Sequence, residues 1–231
     1  MKFLPSERSV LFLTIGFASL FALSGCLTSA KIDGWISEKY GMPPKKQKAN
    51  DYMTVKMPGT TRGNSVSVTT KEKTKVIPAL FYWRFHYANN STLDPSVPFN
   101  NFNSSLLFYA HSTGLKQKLN GQRLELSIDK MPTSFYYEDI DQGIFLLLYY
   151  IDWQIIFIEP KKQDITISYT LYRDSSVTKT GNISINDRNQ RMYLKAFHYS
   201  GKKFVWRYLD QYDSSIQAMS KELIDKLIAE L

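Results

Sequence analysis

The C-terminal segment carries the clearest helical pattern in the chain. Apolar and charged positions follow each other there with the 3.6-residue period of an amphipathic helix. The apolar positions are Ile216, Met219, Leu223, Ile224, Leu227, Ile228 and Leu231, and the charged ones are Lys221, Glu222, Asp225 and Lys226. Ser214 is a suitable N-cap, and Gln217 three residues later completes a capping box. The pattern predicts a helix that begins after Ser214 and packs its apolar face on a sheet.

Two segments of the domain alternate between apolar and polar residues with the period of two that half-buried strands show. Ile165 to Leu171 is the clearest of them, and Leu124 to Ile128 follows the same pattern. The polar stretch Arg173 to Ser176 predicts a hairpin turn, with Val177 to Ile185 as the returning strand. These segments predict antiparallel pairs.

Longer apolar stretches contain many aromatic and β-branched residues, which favour strands. Val76 to Tyr87 predicts an opening strand, Phe135 to Glu138 a short one, and Ile144 to Ile158 the central strand of the sheet. The last of these is too short for a membrane-spanning helix. Met192 to Tyr199 and Phe204 to Tyr208 predict one further hairpin.

A second helix is predicted from Ser104 to Leu119, capped by Asn103 or Ser104, after a polar loop from residue 89 to residue 103. Gly114 in its middle would indicate close packing against the sheet. Two helices and several antiparallel strands predict an α+β fold. We expect a two-layer sandwich, with a mostly antiparallel sheet that carries both helices on one face.

The N-terminal segment has the layout of a secretory signal, in which charged residues precede an apolar run from Val10 to Leu23. The run ends in Leu23-Ser24-Gly25-Cys26, which resembles the lipobox of bacterial lipoproteins. The resemblance implies that residues 1–25 are removed and that Cys26 is lipidated and becomes the mature N-terminus. An ordinary signal peptide with an incidental cysteine, or an uncleaved N-terminal anchor, is the alternative.

The resemblance to lipoproteins also implies a location. An Asp after the lipidated cysteine favours retention in the inner membrane, whereas this chain has Leu27 there. We therefore expect a protein of the bacterial cell envelope, held at the outer membrane where the organism has two membranes. Two or three acyl chains on Cys26 would make that attachment stable.

Positive charge is concentrated after the predicted anchor. The chain has a net charge of +8, and residues 31–75 contribute ten basic and four acidic residues to it. Residues 76–231 are close to neutral, which argues against a nucleic-acid-binding face. We expect residues 26–75 to form an extended basic tether that partly docks on the domain, and residues 76–231 to form the globular domain. The tether would lie near anionic lipid or lipopolysaccharide, or would be a solvated linker with no specific partner.

The residues that could carry chemistry are few. With Cys26 lipidated, no thiol remains for a disulfide, a cysteine nucleophile or a thiolate metal site. The histidines His86, His111 and His198 lack the spacing of a metal site, and no G-x-S-x-G motif occurs. The acidic run Glu138 to Asp141 could hold the acid and base of a glycosidase, or form a solvated turn. We therefore expect no catalytic centre, metal or cofactor.

Aromatic side chains are frequent in the predicted opening strand, where Tyr82, Trp83, Phe85 and Tyr87 follow one another closely. Strand alternation would leave some of these rings on a solvent-facing side. They could then stack on sugars or form the hot spot of a protein interface. Packing in the core is the alternative.

The order of these elements is similar to that of small accessory envelope lipoproteins of the YajG and LptE type. That resemblance implies an α/β sandwich without a catalytic centre. We therefore expect a non-enzymatic binding or assembly factor, attached to the membrane through Cys26, with an envelope protein as partner and no nucleic acid. The alternatives are a surface lipoprotein that binds glycan or lipid, and a hydrolase built on Glu138, Asp139 or Asp141.

Overall fold

The structure is a computed structural model that describes residues 27–41, 50–57, 65–79, 81–146, 149–194 and 200–231. Cys26 and the predicted signal segment lie outside these residues. The described helices are α1 (Ser29–Tyr40), α2 (Ser96–Ser112), α3 (Leu115–Lys118) and α4 (Gly201–Glu230). Among them, none combines the length and the apolar composition needed to cross a membrane.

The described strands form two sheets rather than the single sheet expected. They are β1 (Met53–Lys56), β2 (Ser67–Ala79), β3 (Tyr82–Leu93), β4 (Arg123–Lys130), β5 (Ser134–Leu146), β6 (Tyr149–Pro160), β7 (Ile165–Arg173), β8 (Ser176–Ile185) and β9 (Met192–Tyr193). The small sheet has the order β1-β4-β7-β8 and the large sheet has the order β2-β3-β5-β6-β9. Only β1 and β4 run parallel among the described pairs. The α+β, sandwich-like, mostly antiparallel fold is as predicted.

The small sheet follows the predicted alternation closely. Leu124, Leu126 and Ile128 of β4 are buried, and every second residue of β7 from Ile165 to Leu171 is buried as well. Asp174 and Ser175 both have positive φ, which is the conformation of a two-residue hairpin turn with the twist of the strands. The predicted hairpin of β7 and β8 is therefore confirmed.

In the large sheet, two predicted single strands are in fact two hairpins. Val76 to Tyr87 spans the reversal from β2 to β3, where Ala79 pairs with Tyr82. Ile144 to Ile158 spans the reversal from β5 to β6, where Leu146 pairs with Tyr149. Both predictions were wrong because apolar residues flank both reversals, so the Gly, Asn or Asp that usually signals a turn is missing.

The helix predicted from Ser104 begins earlier, at Ser96. Its N-cap is Pro95 and not residue 103 or 104, and the carboxylate of Asp94 accepts hydrogen bonds from the backbone N–H and hydroxyl of Ser96, at 3.0 and 2.5 Å. The predicted polar loop is thus the end of β3 and the first half of α2. Gly114 does not lie inside the helix, because its φ of +67° places it in the left-handed conformation that ends α2.

The final helix α4 is 30 residues long and begins at Gly201, with Ser200 as its N-cap. Ser214 is therefore an interior residue, and its hydroxyl donates to the backbone oxygen of Asp210. The hairpin predicted from residues 192–199 and 204–208 is wrong. Residues 204–208 are helical, β9 covers only Met192–Tyr193, and residues 195–199 lie outside the described part of the chain.

Helix α4 contacts both sheets and closes the core between them. Near its start, Tyr208 packs on Phe135 of β5, with ring centroids 4.9 Å apart. Near its end, Lys226 donates to the backbone oxygen of Ser184 in β8 at 2.8 Å, and the Tyr169 hydroxyl of β7 donates to Glu230. The predicted apolar face of this helix is buried as far as Leu227.

The segment expected to be an extended tether begins with a packed helix. Ile32 and Ile36 of α1 are fully buried, and the Asp33 carboxylate accepts a hydrogen bond from the Thr69 backbone N–H of β2 at 3.0 Å. An extended conformation is therefore wrong for Ser29–Tyr40. The expected boundary at residue 75 falls inside β2, whereas residues 42–49 and 58–64 lie outside the described ranges.

Candidate functional site

The large sheet extends beyond the helices that cover it. The hairpin of β2 and β3 and the hairpin of β5 and β6 end at the same edge, since Tyr82 pairs with Ile144. We call residues 71–79, 81–87, 139–146 and 149–156 the distal end of the sheet. Helix α1 begins beside it, where the Tyr87 hydroxyl donates to the Leu27 backbone oxygen at 2.6 Å.

Exposed apolar side chains are concentrated in the distal end. Nine of the fourteen large apolar residues exposed in the described chain lie there, namely Val76, Phe81, Phe145, Leu146, Tyr149, Tyr150, Ile151, Trp153 and Ile155. Tyr149 is 75% exposed and Phe81 is 60% exposed. Contiguous apolar surface of this kind usually marks an interaction site.

The two faces of the distal end differ in chemistry. We call the face that carries α1 and α4 the inner face, and the opposite one the outer face. Cross-strand pairs place five apolar residues of β5 and β6 on the outer face, which we call the outer stripe: Ile140, Ile144, Ile151, Trp153 and Ile155. The same register places Asp139, Asp141, Asp152 and Gln154 on the inner face. Between the Ile140–Ile155 and Ile144–Ile151 pairs, the face of β5 and β6 that points away from the core is therefore the more apolar one.

Strand alternation separates the four predicted aromatic residues. Trp83, Phe85 and Tyr87 lie on the inner face and are half-buried, whereas Tyr82 lies on the outer face and donates to Gln142 at 3.1 Å. The Phe85 and Tyr87 rings are stacked, with centroids 6.5 Å apart. The structure thus brings three of the four predicted residues together in one row.

Gly143 lets the Trp83 ring lie flat across the neighbouring strand. A Cβ atom at residue 143 would lie 2.4 Å from Nε1 of Trp83 and 2.8 Å from the Tyr150 hydroxyl. In the structure these two groups are instead hydrogen-bonded, with Trp83 donating at 3.2 Å. The row of rings on the inner face, Trp83, Phe85 and Tyr87, is therefore connected to β6 by the hydrogen bond between Trp83 and Tyr150.

The predicted carboxylates do not converge on one point. Glu138 lies on the outer face and pairs with His86 at 2.8 Å, whereas Asp139 and Asp141 lie on the inner face. Burial raises the pKa of Asp139, and the negative charge of Asp141 raises it further. Burial also raises the pKa of Asp141, and so does the charge of Asp152.

The raised pKa of Asp139 predicts a pH-dependent contribution to stability. An acid that holds its proton more tightly when folded stabilises the protein as the pH falls from neutral towards the ordinary value of 3.8. We therefore expect the free energy of unfolding of Asp139→Asn, relative to that of wild type, to be highest at about pH 7 and lowest at about pH 4. Urea unfolding of both proteins at the two pH values measures this difference. Asp225→Asn, at an exposed site on α4, is the control, and an equal difference at both pH values for Asp139→Asn would contradict the expectation.

The two histidines that the structure describes lie on different elements. His86 lies on β3, His111 lies in the last turn of α2, and His198 is outside the described residues. Within the ranges that the structure covers, no group of three or more His, Cys, Asp or Glu side chains could hold a metal ion.

Two features of the distal end were missed in the sequence. All residues of the outer stripe except Ile140 lie in the run that the sequence predicts to be the central strand, although the alternation of that run with Asp152 and Gln154 indicates one exposed face. The basic residues Lys71, Lys73 and Lys75 were assigned to a tether, but they lie exposed on β2.

Comparison of the chain with protein-family models, with curated proteins and with solved structures finds no match.

Proposed function

We propose that this chain is a lipid-anchored protein of the bacterial cell envelope that acts as a non-enzymatic binding or assembly factor. Its binding site for a second envelope protein is the outer stripe. The observation that carries this proposal is the exposed apolar face of β5 and β6, which the described helices do not cover.

The position of Leu27 supports the predicted anchor. Leu27 is bound to Tyr87, and Thr28 caps α1 by accepting a hydrogen bond from the Lys31 backbone N–H at 3.3 Å. Leu27, the residue that follows Cys26, is therefore held against β3. A lipid on Cys26 would lie beside the distal end.

The composition of the outer stripe suits protein binding. Trp153 is a residue type enriched in interface hot spots, and the neighbouring Ile151 and Ile155 are 52% and 39% exposed. At the other end of β6 the same face is covered, since Phe157 is buried with Arg191 of the β9 segment 4.8 Å from its ring centroid. A partner strand or helix would extend that cover over the outer stripe.

A binding role also fits the carboxylates better than hydrolysis does. An acid and a base for glycoside hydrolysis must flank one bond. Glu138 is separated from Asp139 and Asp141 by the thickness of the sheet, and it is paired with His86. Asp139 lies opposite Tyr87 and Ile156, and Asp141 lies opposite Phe85 and Gln154, so neither inner-face carboxylate is paired across the strands with a second carboxylate.

The experiment is site-specific photocrosslinking in intact cells. A photoreactive residue replaces Ile155 in the outer stripe, and the matched control carries it at Val177, which is exposed on β8 of the small sheet. We expect a discrete protein adduct from residue 155 alone, and its loss when Cys26→Ser releases the chain from the membrane. Identical adducts from both positions, or none from either, would overturn the proposed binding site.

A further inference from the structure

We propose that the tips of the two hairpins enter the interfacial layer of an anionic lipid bilayer, next to the lipid on Cys26. The tips, which we call the hairpin ends, are Phe81, Phe145, Leu146, Tyr149 and Tyr150. This inference rests on the proposed function, because the predicted anchor holds the hairpin ends at a membrane. It adds a second, protein-borne membrane contact that fixes how the domain is oriented.

The hairpin ends are exposed on both faces of the sheet. Phe145 pairs with Tyr150 on the inner face, and Leu146 pairs with Tyr149 on the outer face. All four side chains are exposed, and the Phe145 and Tyr150 ring centroids are 4.6 Å apart. A protein partner on the outer stripe would cover one face only, whereas a bilayer surrounds a protruding edge on all sides. Tyrosine at such an edge keeps its hydroxyl at the headgroups while its ring enters the apolar layer.

The N-terminus of the described chain lies on the same part of the sheet. Leu27 is held by Tyr87, and Tyr87 is five residues along β3 from Tyr82 at the hairpin reversal. Five residues of strand span about 17 Å. Cys26 is adjacent to Leu27. The lipid on Cys26 and the hairpin ends therefore both reach the bilayer surface when the strands are oblique to that surface.

Basic residues lie behind the hairpin ends. Lys73 and Lys75 of β2 are exposed on the outer face, where they line a shallow depression with Arg84 of β3. Lys71 lies on the inner face, with its Nζ 5.8 Å from the centroid of the Tyr87 ring. Cations in this position meet the headgroup layer of an anionic membrane and attract it.

The acidic residue Asp152 limits how deeply the hairpin ends enter the bilayer. Asp152 is exposed on the inner face of β6, three residues from Tyr149 at the hairpin reversal. Three residues of strand correspond to about 10 Å, and a carboxylate is unfavourable in the apolar layer. The hairpin ends therefore enter to the depth of the interface, and the chain from Asp152 onward stays outside it.

The test uses the full lipidated chain in vesicles, and it exploits the single native cysteine. A lipidated Cys26 is a thioether and does not react with maleimide, so a cysteine introduced elsewhere is labelled alone. Tyr149→Cys and Leu146→Cys place an environment-sensitive fluorophore at the hairpin ends. Val177→Cys is the matched control, because Val177 lies far from the hairpin ends. Helix α4 runs for about 40 Å from Phe204, beside Tyr137, to Glu230, next to the β8 strand that carries Val177.

With vesicles that contain phosphatidylglycerol and quencher-labelled lipids, we expect fluorophores at residues 146 and 149 to be quenched several-fold more than one at residue 177. The paired substitutions Lys73→Glu and Lys75→Glu should reduce this quenching, and phosphatidylcholine vesicles should reduce it in the same way. Quenching at residues 146 and 149 that is no greater than quenching at residue 177 overturns the inference.

The failure of the anchor would give a different result. If Cys26 is not lipidated, intact mass shows no acyl increment, and the wild-type chain itself reacts with the maleimide. That outcome overturns the proposed function. A lipidated chain whose hairpin ends are not quenched overturns only the second membrane contact.

Discussion

Truncation of Phe135 to alanine is expected to lower the free energy of unfolding by about 3–5 kcal/mol. Phe135 is 1% exposed and is the ring of β5 against which Tyr208 of α4 packs. Its removal leaves a cavity at the contact between the large sheet and the helix that closes the core. Urea or guanidinium unfolding followed by circular dichroism measures the change.

The control for this substitution is Phe108→Ala. Phe108 lies on α2 and is 68% exposed, so the same chemical change removes little buried area and should alter stability by less than about 0.5 kcal/mol. Similar losses at residues 108 and 135 would show that α4 does not pack on β5 in the way described.

Truncation of Ile36 to alanine is expected to lower the free energy of unfolding by about 2–5 kcal/mol. Ile36 is fully buried on α1, in the segment that the sequence predicted to be a tether. A tether residue contributes nothing to the unfolding transition, so this substitution separates the two descriptions. The measurement is again the midpoint and slope of denaturant unfolding.

Lys31→Ala on the same helix is the matched control, because Lys31 is exposed and alanine favours the helix. We expect its unfolding curve to overlie that of wild type. If the unfolding curve of Ile36→Ala also overlies that of wild type, then α1 is not part of the cooperative fold and Leu27 is not fixed at the distal end.

The small sheet could be predicted because each of its strands buries one face. Ile165, Ile167 and Leu171 alternate with polar residues, and the burial follows the same alternation. The start of α4 could not be predicted in this way. Phe204, Val205 and Tyr208 are residue types that favour strands, yet their spacing fits a buried helix face, and tertiary contact with β5 decides between the two.

The hairpins of the distal end could not be predicted from the sequence, for a different physical reason. A turn is recognised when polar or glycine residues interrupt an apolar run, but residues 76–87 and 144–158 stay apolar on both sides of their reversals. The aromatic residues Trp83, Phe85 and Tyr87 could be predicted as partly exposed, since alternation alone implies it. Their position beside Leu27 could not, because it depends on α1, whose only buried residues are Ile32 and Ile36.

The placement of α4 has a consequence for the timing of folding. The last thirty helical residues of the chain supply the cover for both sheets, and their contacts with β5 join residues about seventy positions apart. Contacts of this separation form late, since a long stretch of chain must first be closed. The core between the two sheets can therefore be completed only after residues 201–230 have been synthesised, and a chain truncated before α4 would lose the cover that this helix gives to both sheets.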